Sequence, residues 1–167
     1  MNKLKPTYMI ERVSKIPFVL LERDNIKGIL FDLDNTLATM GTGIHEDIYN
    51  WLKEAKELGY LICIVSNTIN VRKVRRIMKD LDVPALCFAK KPAIKGFKMA
   101  LNLLDLKKEE VIMVGDQLFT DVFGANRFGI KSILVKPINK KEGPITLLKR
   151  PFEKMIIKKF EGELKND

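Results

Sequence analysis

Asp32 and Asp34 stand two positions apart where an apolar run, Ile29-Leu30-Phe31, stops abruptly, and Thr36 follows. Side chains alternate along an extended chain, so both carboxylates lean to one side while Leu33 faces away. Two like charges that close are costly unless a cation lies between or beside them. Alone, such a pair reads equally as an acidic turn capping a helix. Three further groups sit just past apolar runs: Ser66-Asn67-Thr68, Lys91-Pro92, and Gly115-Asp116 with Asp121. Singly, each has an ordinary explanation: Ser66 or Asn67 as a helix N-cap, Lys91 as a solvated lysine, Asp116 as a turn residue. Their common position after a strand-like run is what points to a shared crevice.

The elements that must position them are written in the periodicity. Lys27–Leu33, Tyr60–Val65, Ala85–Ala89, Glu110–Val114 and Lys131–Val135 are short apolar runs of the kind that form buried parallel strands. Between them lie helical patterns over about 44–58, 70–81, 93–104 and 119–128. The first carries an apolar stripe of Ile44, Ile48, Trp51, Leu52, Ala55 and Leu58 and ends at Gly59. The second turns Val71, Val74, Ile77, Met78 and Leu81 inward and sets Arg72, Arg75, Arg76 and Lys79 along its other side. Strict β-α alternation predicts an α/β fold, a doubly wound, five-stranded parallel sheet of Rossmann-like type. In such sheets ligands collect beyond the carboxyl ends of the strands, where all four groups would converge. A broken helical segment is expected over 8–24, with Met9, Val13 and Ile16 at helical spacing before Pro17. A glycine-bearing loop is expected over 38–43, and one or two helices divided near Pro151 over 144–160.

With 167 residues, the chain is expected to form one domain, 1–167, with its core at about 26–136. Cys63 and Cys87 each lie in an apolar run and read as free thiols rather than a disulfide. No apolar stretch reaches membrane-spanning length and the N-terminus carries no signal-like run, so the expected location is cytoplasmic. The net charge of +9 is uneven: residues 28–135 hold 15 Lys/Arg against 13 Asp/Glu, so most of the excess lies in the flanks. Basic flanks suggest an anionic partner, lipid or nucleic acid. His45, the single histidine, reads as an exposed helix residue, and Trp51 and the phenylalanines as packing residues.

In order, spacing and strand context, Asp32-Leu33-Asp34-Asn35-Thr36, Ser66-Asn67-Thr68, Lys91-Pro92 and Gly115-Asp116-Gln117-Leu118-Phe119-Thr120-Asp121 resemble the four motifs of the haloacid dehalogenase (HAD) phosphotransferases. The loop 115–126 is similar to that of the capless YqeG-type phosphatases, which in turn resemble mitochondrial phosphatidylglycerophosphatases. The resemblance implies Asp32 as nucleophile, Asp34 as general acid and base, and Ser66, the Asn67 backbone N–H and Lys91 as phosphate-binding groups. It implies Mg²⁺ held by Asp32, the Asp34 carbonyl and Asp116, with Asp121 supporting the metal or orienting Lys91. Lys91 is preferred over Lys90 because the family lysine precedes proline.

Asp32 and Ser66 are 34 positions apart and Ser66 and Lys91 are 25 apart, intervals filled by one loop, one helix and one strand each. That leaves no room for a cap domain, and an open site suits a phosphate carried on something large. Along 144–160, Lys149, Arg150, Lys154, Lys158 and Lys159 alternate with Leu147, Leu148, Phe152, Met155, Ile156 and Phe160. A basic amphipathic helix of this kind can lie peripherally on an anionic membrane, or pack its apolar side on the core. The leading expectation is a phosphatidylglycerophosphate phosphatase of phospholipid synthesis. Alternatives are a soluble nucleotide or sugar phosphatase, a nucleic-acid 3′-phosphatase, and a non-enzymatic phospho-acceptor module. Nucleic acid is disfavoured because no aromatic residues interleave the Arg72–Lys79 face. Asp34 argues against the phospho-acceptor, since an acid/base beside the nucleophile hastens dephosphorylation.

Overall fold

A computed structural model of the chain describes residues 3–39, 43–139 and 144–164, with side chains in the last segment for 148–160. The elements run β1 (Tyr8–Ile10), α1 (Phe18–Arg23), β2 (Gly28–Phe31), α2 (Glu46–Glu57), β3 (Leu61–Val65), α3 (Val71–Leu81) and β4 (Ala85–Leu86). They continue as α4 (Ile94–Leu104), β5 (Val111–Gly115), α5 (Phe123–Phe128), β6 (Lys131–Val135) and α6 (Pro144–Leu164). All neighbouring strands are parallel, in the order β1-β6-β5-β2-β3-β4. From the central β2 the chain winds outward to β3 and β4, then crosses back to β5 and β6. The switch point therefore lies at β2, between the tips of β3 and β5.

Alternation along the strands divides the core. Ile29, Phe31, Ile62, Ile64, Ile112 and Val114 meet Ile48, Trp51 and Leu52 of α2 and Val74, Ile77 and Leu81 of α3 on one face. Leu30, Cys63, Val65 and Met113 meet Phe97, Ala100 and Leu101 of α4 and Ala125 and Phe128 of α5 on the other. Strands covered on both faces explain why the runs read as continuously apolar. Both cysteines are free, Cys63 buried and Cys87 half-buried. Gly59 and Gly129 close α2 and α5 with φ of +90° and +89°, conformations that any side chain would strain.

Three local expectations differ. The segment 8–24 opens not as a helix but as β1, whose Tyr8, Met9 and Ile10 pair with Ile133, Leu134 and Val135, giving the sheet a sixth strand. The pairing partner lies over a hundred residues away, so helical spacing among Met9, Val13 and Ile16 could not reveal it. Of the expected third strand, Ala85–Ala89, only Ala85–Leu86 forms β4; Phe88 within it and Lys90 just after it take φ of 52° and 54°. Over 144–160, where one or two helices divided near Pro151 are expected, there is one helix and it continues through Pro151 without a division. In the expected loop 38–43, residues 40–42 lie outside those described.

Candidate active site

Asp32 continues the β2 ladder by donating its N–H to Val114 O (2.9 Å), which sets its side chain at the cleft between β2 and β5. The chain then turns tightly: Asn35 takes φ of 65°, a left-handed position that asparagine tolerates, and donates its N–H to Ala38 O (2.8 Å). Asp116 comes directly after β5. Asp121 comes from Leu118–Val122, a π-helical turn whose first residues fold back so that Gln117 N–H donates to Asp121 Oδ2 (3.0 Å). Gly115 is required here, because a Cβ at that position would overlap the Asp121 carboxylate. Wide turns of this type often mark functional sites.

Three carboxylates thereby converge. Asp32, Asp116 and Asp121 are buried, and each offers one oxygen within 4.8 Å of the others. Lys91 Nζ enters from the β4–α4 loop, 2.6 Å from Asp32 Oδ1 and 2.7 Å from Asp121 Oδ1, and it too is buried. Burial alone would lower the Lys91 ammonium, but Asp121 and Asp32 outweigh it and hold its pKa above the ordinary lysine value. Burial dominates the other way at Asp32, pushing it up to about 7 despite Lys91. Asp116 is pushed up to about 8 by burial and by the charges of Asp32 and Asp121. Such a cluster of hard oxygen donors, short of positive charge, fits a divalent cation.

Of the other predicted groups, Asn67 is tied to it through Lys91 and Asp34 acts on Asp32 by its charge. Ser66 is buried at the tip of β3 and its hydroxyl accepts from Thr68 N–H (3.1 Å). The Asn67 side chain clasps the Lys91 backbone, accepting from Lys91 N–H (2.7 Å) and donating to Lys91 O (3.0 Å). That amide ties the β3 tip to the lysine loop, a task its sequence position does not announce. Asp34 is half-buried and accepts from Lys73 Nζ (2.6 Å), which also donates to Thr39 O (3.1 Å). Lys90 and His45 are exposed, away from these bonds.

Several neighbours are not legible in the sequence. Thr36 Oγ1 donates to Asp116 Oδ1 (3.0 Å), so the first motif braces the fourth. Lys73 stands in the first turn of α3, where Asn70 caps its N–H, and only its place on the inner shoulder of that helix sets it apart from the basic face. Arg150, which the pattern of 144–160 groups with the outward basic residues, turns inward. Its Nη1 donates to Asp116 O (2.7 Å) and Glu153 Oε2 (2.9 Å), and its Nη2 contacts Asp116 Oδ2. Glu153 is buried and accepts from Phe119 N–H (3.1 Å). The one available signal is the spacing of Arg150 and Glu153, opposite charges an i,i+3 step apart on the side shared with Ile157 and Phe160.

Residues 1–139 match the family model described as mitochondrial PGP phosphatase. The chain is 38% identical over 153 residues to the probable phosphatase YqeG of Bacillus subtilis, covering 91% of this chain and 88% of that one. It is 26% identical over 166 residues to phosphatidylglycerophosphate phosphatase 1, chloroplastic/mitochondrial, of Arabidopsis thaliana, covering 93% of this chain but 47% of that one. Among solved structures, a HAD phosphatase from Thermococcus onnurineus superposes with a TM-score of 0.55 at 19% identity, covering 72% of this chain and 91% of that one. The last is a likeness of fold.

Proposed function

Because the chain belongs to the mitochondrial PGP phosphatase family, and so to the HAD phosphatases that hydrolyse phosphate monoesters, we propose that its substrate is the lipid monoester phosphatidylglycerophosphate. The observation that carries this reading is the family match over residues 1–139. A site without a cap insertion among the described residues supports it: the chain passes from β2 to α2 and from β3 to α3 with no intervening helix or strand there. A phosphate on a lipid headgroup can enter such a site without the molecule being enclosed.

In the proposed reaction an Asp32 carboxylate oxygen attacks phosphorus, and the bond to the leaving alcohol breaks as Asp34 supplies its proton. Water then attacks the aspartyl-phosphate, Asp34 accepts the water's proton, and phosphate departs with Asp32 restored. Ser66, the Asn67 backbone N–H and Lys91 hold the phosphoryl oxygens as charge shifts in the transition state. Asp121 orients Lys91, its Oδ1 lying 2.7 Å from Nζ. Asp32, Asp116 and the Asp34 carbonyl would hold Mg²⁺, with Asp121 within reach. Such an ion, when bound, supplies charge neutralisation and a template for the phosphate.

The outer side of α6 fits the same reading. Leu148, Phe152 and Met155 are exposed in one stripe, with Lys154, Lys158 and Lys159 exposed around it. Its inner side packs Ile156, Ile157 and Phe160 toward the core, so the helix can dock on the protein and still offer a ridge to an anionic bilayer. Phosphate release from detergent-dispersed phosphatidylglycerophosphate, with and without EDTA and beside a panel of soluble nucleotide and sugar phosphates, is the test. EDTA-sensitive turnover of the lipid is expected. Rapid turnover of soluble esters with the lipid untouched would move the assignment to a soluble metabolite phosphatase.

A further inference from the structure

Both carboxylate oxygens of Asp116 are engaged: Thr36 Oγ1 donates to Oδ1 at 3.0 Å and Arg150 Nη2 contacts Oδ2. Arg150 comes from α6, outside the β-α-β framework that carries every residue expected to catalyse. Its guanidinium reaches a buried carboxylate in the cluster suited to a dication. Resting on the reading of that cluster as the cation site, we propose that Arg150 competes with the metal for Asp116, so that metal loading loosens the anchor of α6.

Competition is dictated by the geometry. Mg²⁺ demands near-octahedral oxygen ligands at close range, and a guanidinium donor seeks the same in-plane lone pairs of the carboxylate. Two cations on one buried carboxylate repel each other where little water screens them. The charges agree: a dication held by Asp32 and Asp116 would sit close to two fixed positive charges, the Lys91 ammonium on Asp32 and the Arg150 guanidinium on Asp116. Arg150 also has somewhere to go, because Glu153 Oε2 already accepts from its Nη1 at 2.9 Å. Withdrawal from Asp116 therefore leaves it paired on its own helix.

The helix feels the exchange. Near its first described side chains, α6 is fixed by Arg150 to Asp116 and by Glu153 to the Phe119 N–H at 3.1 Å. The apolar contacts of Ile156, Ile157 and Phe160 come later in the helix. Loss of the Asp116 contacts frees the earlier turns first. Linkage is reciprocal, so whatever the metal costs the anchor, the anchor costs metal affinity.

The full chain is titrated calorimetrically with Mg²⁺ as wild type, Arg150→Gln and Asp116→Asn. In parallel, hydrogen exchange of residues 148–160 in the wild type is monitored with and without saturating Mg²⁺. Asp116→Asn abolishes the binding heat, and Arg150→Gln binds Mg²⁺ roughly 5- to 150-fold more tightly. In the wild type, Mg²⁺ speeds exchange in 148–153 more than in 156–160. Absence of wild-type binding, or binding that persists in Asp116→Asn, overturns the cation site and this inference with it. Binding that depends on Asp116 but is unchanged or weakened in Arg150→Gln overturns the inference alone. So does Mg²⁺ that leaves 148–153 equally or better protected, a measurement that needs no variant to fold.

Discussion

At the scale of single residues, Lys91 is the arbiter of the site. It pairs with Asp32 at 2.6 Å and Asp121 at 2.7 Å, bridging the first and fourth motifs across the crevice. Removing one partner from such a buried set costs about 3–5 kcal/mol. Lys91→Met should therefore lose stability as well as activity, as chemical denaturation would register. Asp32→Asn should abolish turnover and covalent phosphate together. Asp34→Asn should slow turnover by about 10²- to 10⁴-fold and let an aspartyl-phosphate persist, visible by mass spectrometry after acid quenching. A covalent phosphate of equal amount in Asp32→Asn would remove the proposed nucleophile. Burial raises Asp32 to about 7 and Asp116 to about 8, so the folded protein keeps protons there that the unfolded chain releases near pH 4. The stabilisation is complete below that lower value and fades as pH rises through about 7 to 8. Without divalent cation, denaturation midpoints should fall between about pH 5 and pH 8, and Mg²⁺ should recover more stability at the higher pH.

At the scale of elements, the π-helical turn Leu118–Val122 and the glycine before it decide whether Asp121 reaches Lys91 at all. Gly115→Ala would push the Asp121 carboxylate out of the cluster. Mg²⁺ affinity measured by calorimetry should then fall by at least about tenfold, 1.4 kcal/mol, while the sheet signal in circular dichroism remains. Gly124 plays a comparable part in packing, since a Cβ there would lie 2.7 Å from the Phe97 ring and 3.2 Å from Pro92 Cα, next to the lysine loop. The wheel of α3 explains a different omission. Its exposed Arg72, Arg75, Arg76 and Lys79 are legible as one face, whereas Lys73 sits at the border and is claimed by Asp34 and Thr39.

At the scale of the whole molecule, α6 joins two environments. Inward it carries Arg150 and Glu153 to the fourth motif; outward it presents Leu148, Phe152 and Met155 among lysines. No described helix is long and apolar enough to cross a membrane; the proposed bilayer contact would be made by this ridge. Each Lys held near an anionic surface contributes about 1 kcal/mol, and that share weakens with salt. Phe152→Asp with Met155→Asp should reduce sedimentation with phosphatidylglycerol vesicles while leaving hydrolysis of soluble phosphate esters intact. Equal vesicle binding by the double variant would sink the ridge as a docking surface.

The amino-acid order alone determined the β-α rhythm, the parallel sheet and the strand ends at which Asp32, Ser66 and Asp116 stand, because each is written in local periodicity and in the polar residues that end each apolar run; Lys91 instead comes from the irregular loop after β4. Tertiary structure decided what periodicity cannot encode. The edge pairing of Tyr8–Ile10 with β6, the clasp of Asn67 on Lys91 and the inward turn of Arg150 all join residues distant in the chain. A charged side chain on an amphipathic helix reads as solvated until its partner is found. For Arg150 that partner is a carboxylate 34 positions earlier, brought within reach only when α6 packs beside the tip of β5.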